Sequence, residues 1–204
     1  MSSRSVAELT AGGAGLVAAL PNVLSLVRIG LVPVLVTLLM WPDPVSRGIA
    51  GLLFLVACAT DFFDGWLARR HGITTPLGQI LDPLADKMIV AASLITLAAV
   101  PPEPRVPVWM VTVIVVRELA VTGLRGIAWR GGLVVPALEL GKYKMIFQMF
   151  ALEALLVHYT YPIPGTPLRV DFHAGGMLFL WVALCLAVWS AVDYYVRIIR
   201  RGVI

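Results

Sequence analysis

Apolar residues run along this chain in six long blocks, and the polar residues gather in the gaps between them. The first block, about 22–41, opens after Pro21 and runs into Trp41-Pro42. The second covers about 46–70 and ends in Arg69-Arg70; the third covers about 82–100 and stops at Pro101-Pro102. The fourth, about 106–130, is closed by Gly131-Gly132, and the fifth lies between Glu139 and Pro162, at about 139–160. The sixth, about 174–198, ends among Arg197, Arg200 and Arg201. A membrane-spanning helix needs about 20 mostly apolar residues, so the pattern predicts six transmembrane helices. Between the second and third blocks, residues 71–81 read as a polar connection containing Gly and Pro.

Composition sharpens this picture. Of 204 residues 59% are apolar and 14% charged, and the mean hydropathy is +0.90. That balance excludes an ordinary soluble domain and makes the bilayer the solvent. Residues 22–204 read as a single membrane domain without repeats. Residues 1–21 read as an N-terminal interfacial segment. A signal peptide is disfavoured, because Glu8 sits where basic residues belong and glycines interrupt the apolar run 11–20. Cys58 and Cys185 both lie in apolar blocks, which argues for buried thiols over a disulfide. The three histidines lack a zinc-binding spacing.

Charge gives direction. With six spans, only Arg47, Arg105 and Arg169 fall on one side, and the other 13 of 16 basic residues fall on the side of the termini and the 2–3 and 4–5 connections. The positive-inside rule makes that side cytoplasmic, with both termini inside the cell (inner) membrane.

Four aspartates then stand out. Asp61 and Asp64 are three residues apart, and Asp82 and Asp86 are four apart, so each pair shares one helical face near the cytoplasmic end. An aspartate at mid-helix costs about 2.5–3.5 kcal/mol to insert. Solvated helix ends pairing with Arg69, Arg70 and Lys87 would explain one such residue but not four at these spacings. Facing carboxylates also repel, and one or two Mg2+ or Mn2+ ions would relieve the repulsion. Gly65 and Ala68 make the adjacent helix surface small enough for a partner or flat ligand to approach.

The segment Asp61 to Asp86 reads D-x2-D-G-x2-A-R-x8-G-x3-D-x3-D, matching all eight specified positions. It resembles the signature of the CDP-alcohol phosphotransferase family. That resemblance implies an all-α, six-helix membrane enzyme with a cytoplasm-facing polar site, which displaces CMP from a CDP-linked lipid with an alcohol. It implies that Asp61, Asp64 and Asp82 bind metal. Asp86 is implied to be metal-linked and to serve as general base. It further implies two ions of Mg2+ or Mn2+, and contacts to the CDP moiety from Asp61, Gly65, Ala68, Arg69 and Gly78. The chemistry agrees: metals neutralise a pyrophosphate, a carboxylate takes the proton of the attacking hydroxyl, and Arg69 offers a fixed cation.

A second polar constellation comprises Arg117-Glu118 and Arg125 in block four, with Lys142, Lys144 and Gln148 at the start of block five. Arg117 lies within an apolar run and needs a partner. Its neighbour Glu118 is expected to point elsewhere, leaving an inter-helix carboxylate or an anionic ligand. Each lysine taken alone reads as a snorkelling anchor. Together, Arg117, Arg125, Lys142 and Lys144 could hold an acceptor phosphate. With Pro21-Asn22, Ser25 and Arg28, this half resembles the phosphatidylglycerophosphate synthase branch of the family, although Met145 stands where that branch has Thr. The branch implies CDP-diacylglycerol and sn-glycerol 3-phosphate as partners, beside the lipid bilayer and without nucleic acid, in phospholipid biosynthesis. Homodimerisation is a family implication only. Inositol phosphate is the rival acceptor. An ion-coupled transporter is the rival class, disfavoured because the acidic residues crowd one membrane face. Asp193 and Arg197, one turn apart, read as a local ion pair.

Overall fold

The computed structural model describes residues 23–71, 76–130 and 139–200; the side chains of 61–71, 76–80, 129, 130 and 139 lie outside that description. The expected N-terminal segment 1–21 is therefore outside it as well. Among the described residues six helices form: α1 Val23–Met40, α2 Pro44–His71, α3 Pro76–Ala99, α4 Val108–Arg130, α5 Glu139–Val157 and α6 Phe172–Arg200. Each apolar block has become one helix. α3 begins earlier than expected and absorbs Gly78 from the connection. Pro76 explains this, since a proline in the first helical turn loses no needed N–H and has a preset φ.

The connection between α5 and α6 carries a small antiparallel hairpin. Its strands are β1 (Thr160–Pro162) and β2 (Arg169–Asp171), with Tyr161 opposite Val170. Gly165 turns the intervening loop at φ +80°, a conformation that side chains with a Cβ rarely adopt.

The α1–α2, α3–α4 and α5–α6 connections meet at one end of the bundle. Tyr159 Oη donates to the Pro42 carbonyl at 2.7 Å, and Arg47 at the start of α2 donates to the Pro101 carbonyl. His158 and His173 stand Nδ1 to Nδ1 at 3.3 Å. Asp43 caps α2 by accepting the backbone N–H groups of Val45 and Ser46 at 3.1 and 2.9 Å. Hydrogen bonds from Ser46 hold its carboxyl below the ordinary range.

Between the ends lies a continuous apolar core, including Leu35, Phe54, Ile89, Met110, Leu152 and Leu180, with a contributor from every helix. α5 packs against α2, α3 and α6, while α4 contacts α3 and α6. The α5–α6 approach depends on Gly176, where a Cβ would stand 2.7 Å from Leu155 Cγ.

The outer surface is also apolar: Leu52 on α2, Leu119 on α4, and Leu178 and Trp189 on α6 are all well exposed. In water such a surface would aggregate, whereas lipid tails cover it at no cost. Two helices, Val23–Met40 and Phe172–Arg200, are individually long and apolar enough to cross a membrane. The helices between them carry the charged residues of the two polar constellations.

Candidate active site

The opposite end of the bundle gathers the polar chemistry. α2 is 28 residues long, about 42 Å at 1.5 Å per residue, and Asp61, Asp64, Gly65, Ala68 and Arg69 occupy its last turns. Gly78 lies in the first turn of α3. The positions of these residues on their helices are described; their side chains are not.

Asp82 and Asp86 are described fully. One turn of α1 faces one turn of α3, so residues three apart on the first meet residues four apart on the second. Ser25 Oγ donates to Asp82 Oδ1, and Arg28 Nη1 donates to Asp86 Oδ1 at 2.6 Å. The Arg28 side chain is only 5% exposed. Its charge-assisted bond therefore works in a poorly screened setting, where such bonds are short and strong. The pairing directs both α3 carboxylates toward α1 and fixes their rotamers.

The sequence set Ser25 and Arg28 aside as part of a resemblance. Two polar residues three apart on an otherwise apolar span were the available signal that they face something charged. Carboxylate oxygens are the donors a hard divalent cation prefers, so the chemistry of the acidic residues fits Mg2+ or Mn2+. Among the described residues no three potential metal-ligating side chains come together, and Asp61 and Asp64 belong to the part whose side chains are outside the description.

Arg117 forms the hub of the second constellation. Its Nη1 donates to Glu118 Oε1 at 2.6 Å, its Nε to the Ala187 carbonyl at 3.0 Å, and its Nη2 to Ser190 Oγ at 2.7 Å. The expectation that Glu118 points elsewhere was wrong. Consecutive helical residues leave the axis about 100° apart, but both side chains are long enough to curl toward each other. The required partner is thus the adjacent carboxylate together with α6, and no distant acid is needed.

Lys144 Nζ donates to the same Glu118 Oε1, joining α5 to α4. Arg125 places its guanidinium 6.0 Å above the ring centroid of buried Tyr194 on α6, within cation–π range. Lys142 is exposed on the first turn of α5. Gln148, one turn beyond Lys144, is buried. Glu118, Ser190 and Tyr194 take part in this arrangement without having been assigned a role from sequence.

A bridge joins the two constellations. Lys87, next to Asp86, donates to Thr122 Oγ1 at 2.9 Å, one turn beyond Glu118 on α4. The acidic pair and the cations Arg117, Arg125, Lys142 and Lys144 therefore sit at one end of one bundle. Asp193 and Arg197 form the local ion pair their spacing suggests, at 3.1 Å.

A bundle with acidic side chains beside buried cations at one end has the parts needed for transfer of a charged group. Residues 18–189 match the family model of the CDP-alcohol phosphatidyltransferases, and the chain belongs to that family. It is accordingly a membrane-embedded transferase. It is 38% identical over 188 residues to a CDP-diacylglycerol–glycerol-3-phosphate 3-phosphatidyltransferase of Bacillus subtilis, covering 86% of this chain and 93% of the relative. It is 35% identical over 191 residues to a probable phosphatidylglycerophosphate synthase of Mycobacterium tuberculosis, covering 92% of this chain and 85% of that one. It is also 35% identical over 194 residues to a cardiolipin synthase (CMP-forming) of Oryza sativa, covering 89% of this chain and 57% of the relative.

Proposed function

We propose that this protein transfers the phosphatidyl group of CDP-diacylglycerol to sn-glycerol 3-phosphate, yielding phosphatidylglycerophosphate and CMP. The observation that carries the reading is the junction of the α3 carboxylates with the α4–α5 cations at one end of the bundle. Similarity to relatives named for this reaction supports it.

Asp61, Asp64, Asp82 and Asp86 would hold Mg2+ or Mn2+, which when bound supplies charge neutralisation on the pyrophosphate and on the departing CMP. Gly65, Ala68 and Gly78 let the CDP moiety approach the helix backbones, and Arg69 offers it a permanent cation. Arg28 holds one oxygen of Asp86, so that the carboxylate presents a defined edge to the acceptor. Asp86 takes the proton of the primary hydroxyl of glycerol 3-phosphate as that oxygen bonds to the phosphorus bearing diacylglycerol. The bond from that phosphorus to the oxygen bridging it to CMP breaks, and CMP leaves with the electron pair. Arg125, Lys142 and Lys144 hold the acceptor's phosphate, and Arg117, tied to α6 by Ala187 and Ser190, adds its positive charge to the same site.

An acceptor screen tests the assignment. With purified protein and CDP-diacylglycerol, glycerol 3-phosphate supports CMP release, while inositol phosphate, serine and phosphatidylglycerol do so poorly. Preference for phosphatidylglycerol would favour the chemistry in the rice relative's name. No CMP release with any alcohol would return the transporter reading.

The six helices are proposed to span the cytoplasmic membrane with both termini and the active site inside, because 13 of 16 Lys and Arg then lie on the inner side. Cysteines introduced at residues 72–75 should be labelled from the cytoplasm, and one at Gly165 from outside. The reverse pattern would reject this orientation.

A further inference from the structure

Glu118 lies outside every role assigned so far, yet three helices are tied through it. Its Oε1 accepts from Arg117 Nη1 on α4 and from Lys144 Nζ on α5. Arg117 is in turn held by the Ala187 carbonyl and Ser190 Oγ of α6. The chain of contacts runs from a backbone carbonyl of α6, through Arg117 and Glu118, to the ammonium of Lys144. We infer that Glu118 is a positioning residue for the acceptor, setting the place of Lys144 so that its remaining N–H groups meet the acceptor phosphate. This inference rests on the reading of glycerol 3-phosphate as the second substrate.

The surroundings of Lys144 support the assignment. Its side chain is 8% exposed, and a buried ammonium needs a counter-charge and hydrogen-bond acceptors. Arg117 and Lys87 act on it as like charges, and Glu118 is the acid that acts on it. Without the carboxylate, repulsion would turn Lys144 away from Arg117. An ammonium has three donors. Glu118 takes one and leaves two, whereas Arg117 has all three nitrogens engaged. Lys144 is therefore the better direct ligand for phosphate, and Glu118 the residue that keeps it there. A plain packing bridge between α4 and α5 would instead contribute to stability and leave the two substrates indistinguishable.

Steady-state kinetics of Glu118→Gln, which keeps the shape and removes the charge, separates these roles. The KM for glycerol 3-phosphate should rise about ten-fold, as expected when one charge-assisted contact is misplaced. The KM for CDP-diacylglycerol should stay within about two-fold, the same factor in free energy being well under one such contact. Glu118→Asp should recover part of the loss. In a Lys144→Met background, Glu118→Gln should add little, since it acts through Lys144. An unchanged acceptor KM, an equal rise for both substrates, or full additivity with Lys144→Met would overturn the inference. If Glu118→Gln does not fold, Glu118→Asp decides by the same split: an acceptor-only rise supports the role and a uniform loss overturns it. Wild-type protein that turns over glycerol 3-phosphate while Glu118→Gln keeps a normal KM defeats this inference alone. Wild-type protein that ignores glycerol 3-phosphate defeats the acceptor reading as well.

Discussion

Asp82→Asn should abolish CMP release while the protein remains folded. The substitution keeps an oxygen that can accept the Ser25 hydrogen bond, so the α1–α3 contact survives. It removes the negative charge that makes a carboxylate a good ligand for a hard dication. Electrostatic help to a phosphoryl-type displacement is worth several kcal/mol, so a fall of at least about a thousand-fold is expected. Asp61→Asn and Asp64→Asn should behave alike. Asp86→Asn should lose the proton acceptor too, for which about 10²–10⁴ in rate is typical. It should also loosen Arg28, whose 2.6 Å ion pair it weakens. Chelation should silence the wild type, and added Mn2+ should restore it. Mn2+ binding followed by electron paramagnetic resonance should weaken in each variant, which separates a ligand from a merely structural acid. Near-normal turnover of folded Asp82→Asn, or full activity in chelator, would reject the mechanism.

Arg125→Ala should cost about ten- to hundred-fold in kcat/KM for glycerol 3-phosphate, since a charge-assisted hydrogen bond contributes about 1.5–3 kcal/mol. Lys142→Met and Lys144→Met should fall in the same range, with the KM for CDP-diacylglycerol little changed. Arg125→Lys should also be impaired, because an ammonium cannot reproduce the guanidinium fork or its stacking on Tyr194. Arg117 is expected to differ from the other three. Its nitrogens are bound to Glu118, Ala187 and Ser190, so Arg117→Lys should lower the yield of folded protein as well as acceptor use. Plain glycerol should be a poor acceptor for the wild type, and the variants should discriminate less between the two alcohols. Equal weakening toward both substrates would make the cations membrane anchors and leave the acceptor open.

The helices were legible from sequence because their cause is local. A run of apolar residues long enough to cross a bilayer, closed by proline or charge, has few alternatives when every backbone group must be satisfied within its own segment. The family was legible too, because the acidic and glycine positions lie within 26 residues, Asp61 to Asp86, on two consecutive helices.

The start of α3 and the β1–β2 hairpin were missed for a related reason. Pro76 and the prolines of 160–171 look like breakers in isolation, yet Pro76 begins a helix, Pro162 ends strand β1, and Pro164 and Pro167 lie between the strands.

What the sequence alone determined was which residues share a helix face, since helical periodicity follows from position number. What only the tertiary structure decided was which faces meet. Ser25 and Arg28 find acids 57 and 58 residues away, and Arg117 finds Ser190 73 residues away. Such pairs depend on helix rotation and on the distance between axes, which close packing at Gly176 and the apolar core helps to set. For the same reason Glu118, spacing-wise an unremarkable neighbour of Arg117, became the junction of α4, α5 and α6: Arg117 lies beside it in the chain, but Lys144 is brought to it only by the packing of α5 on α4.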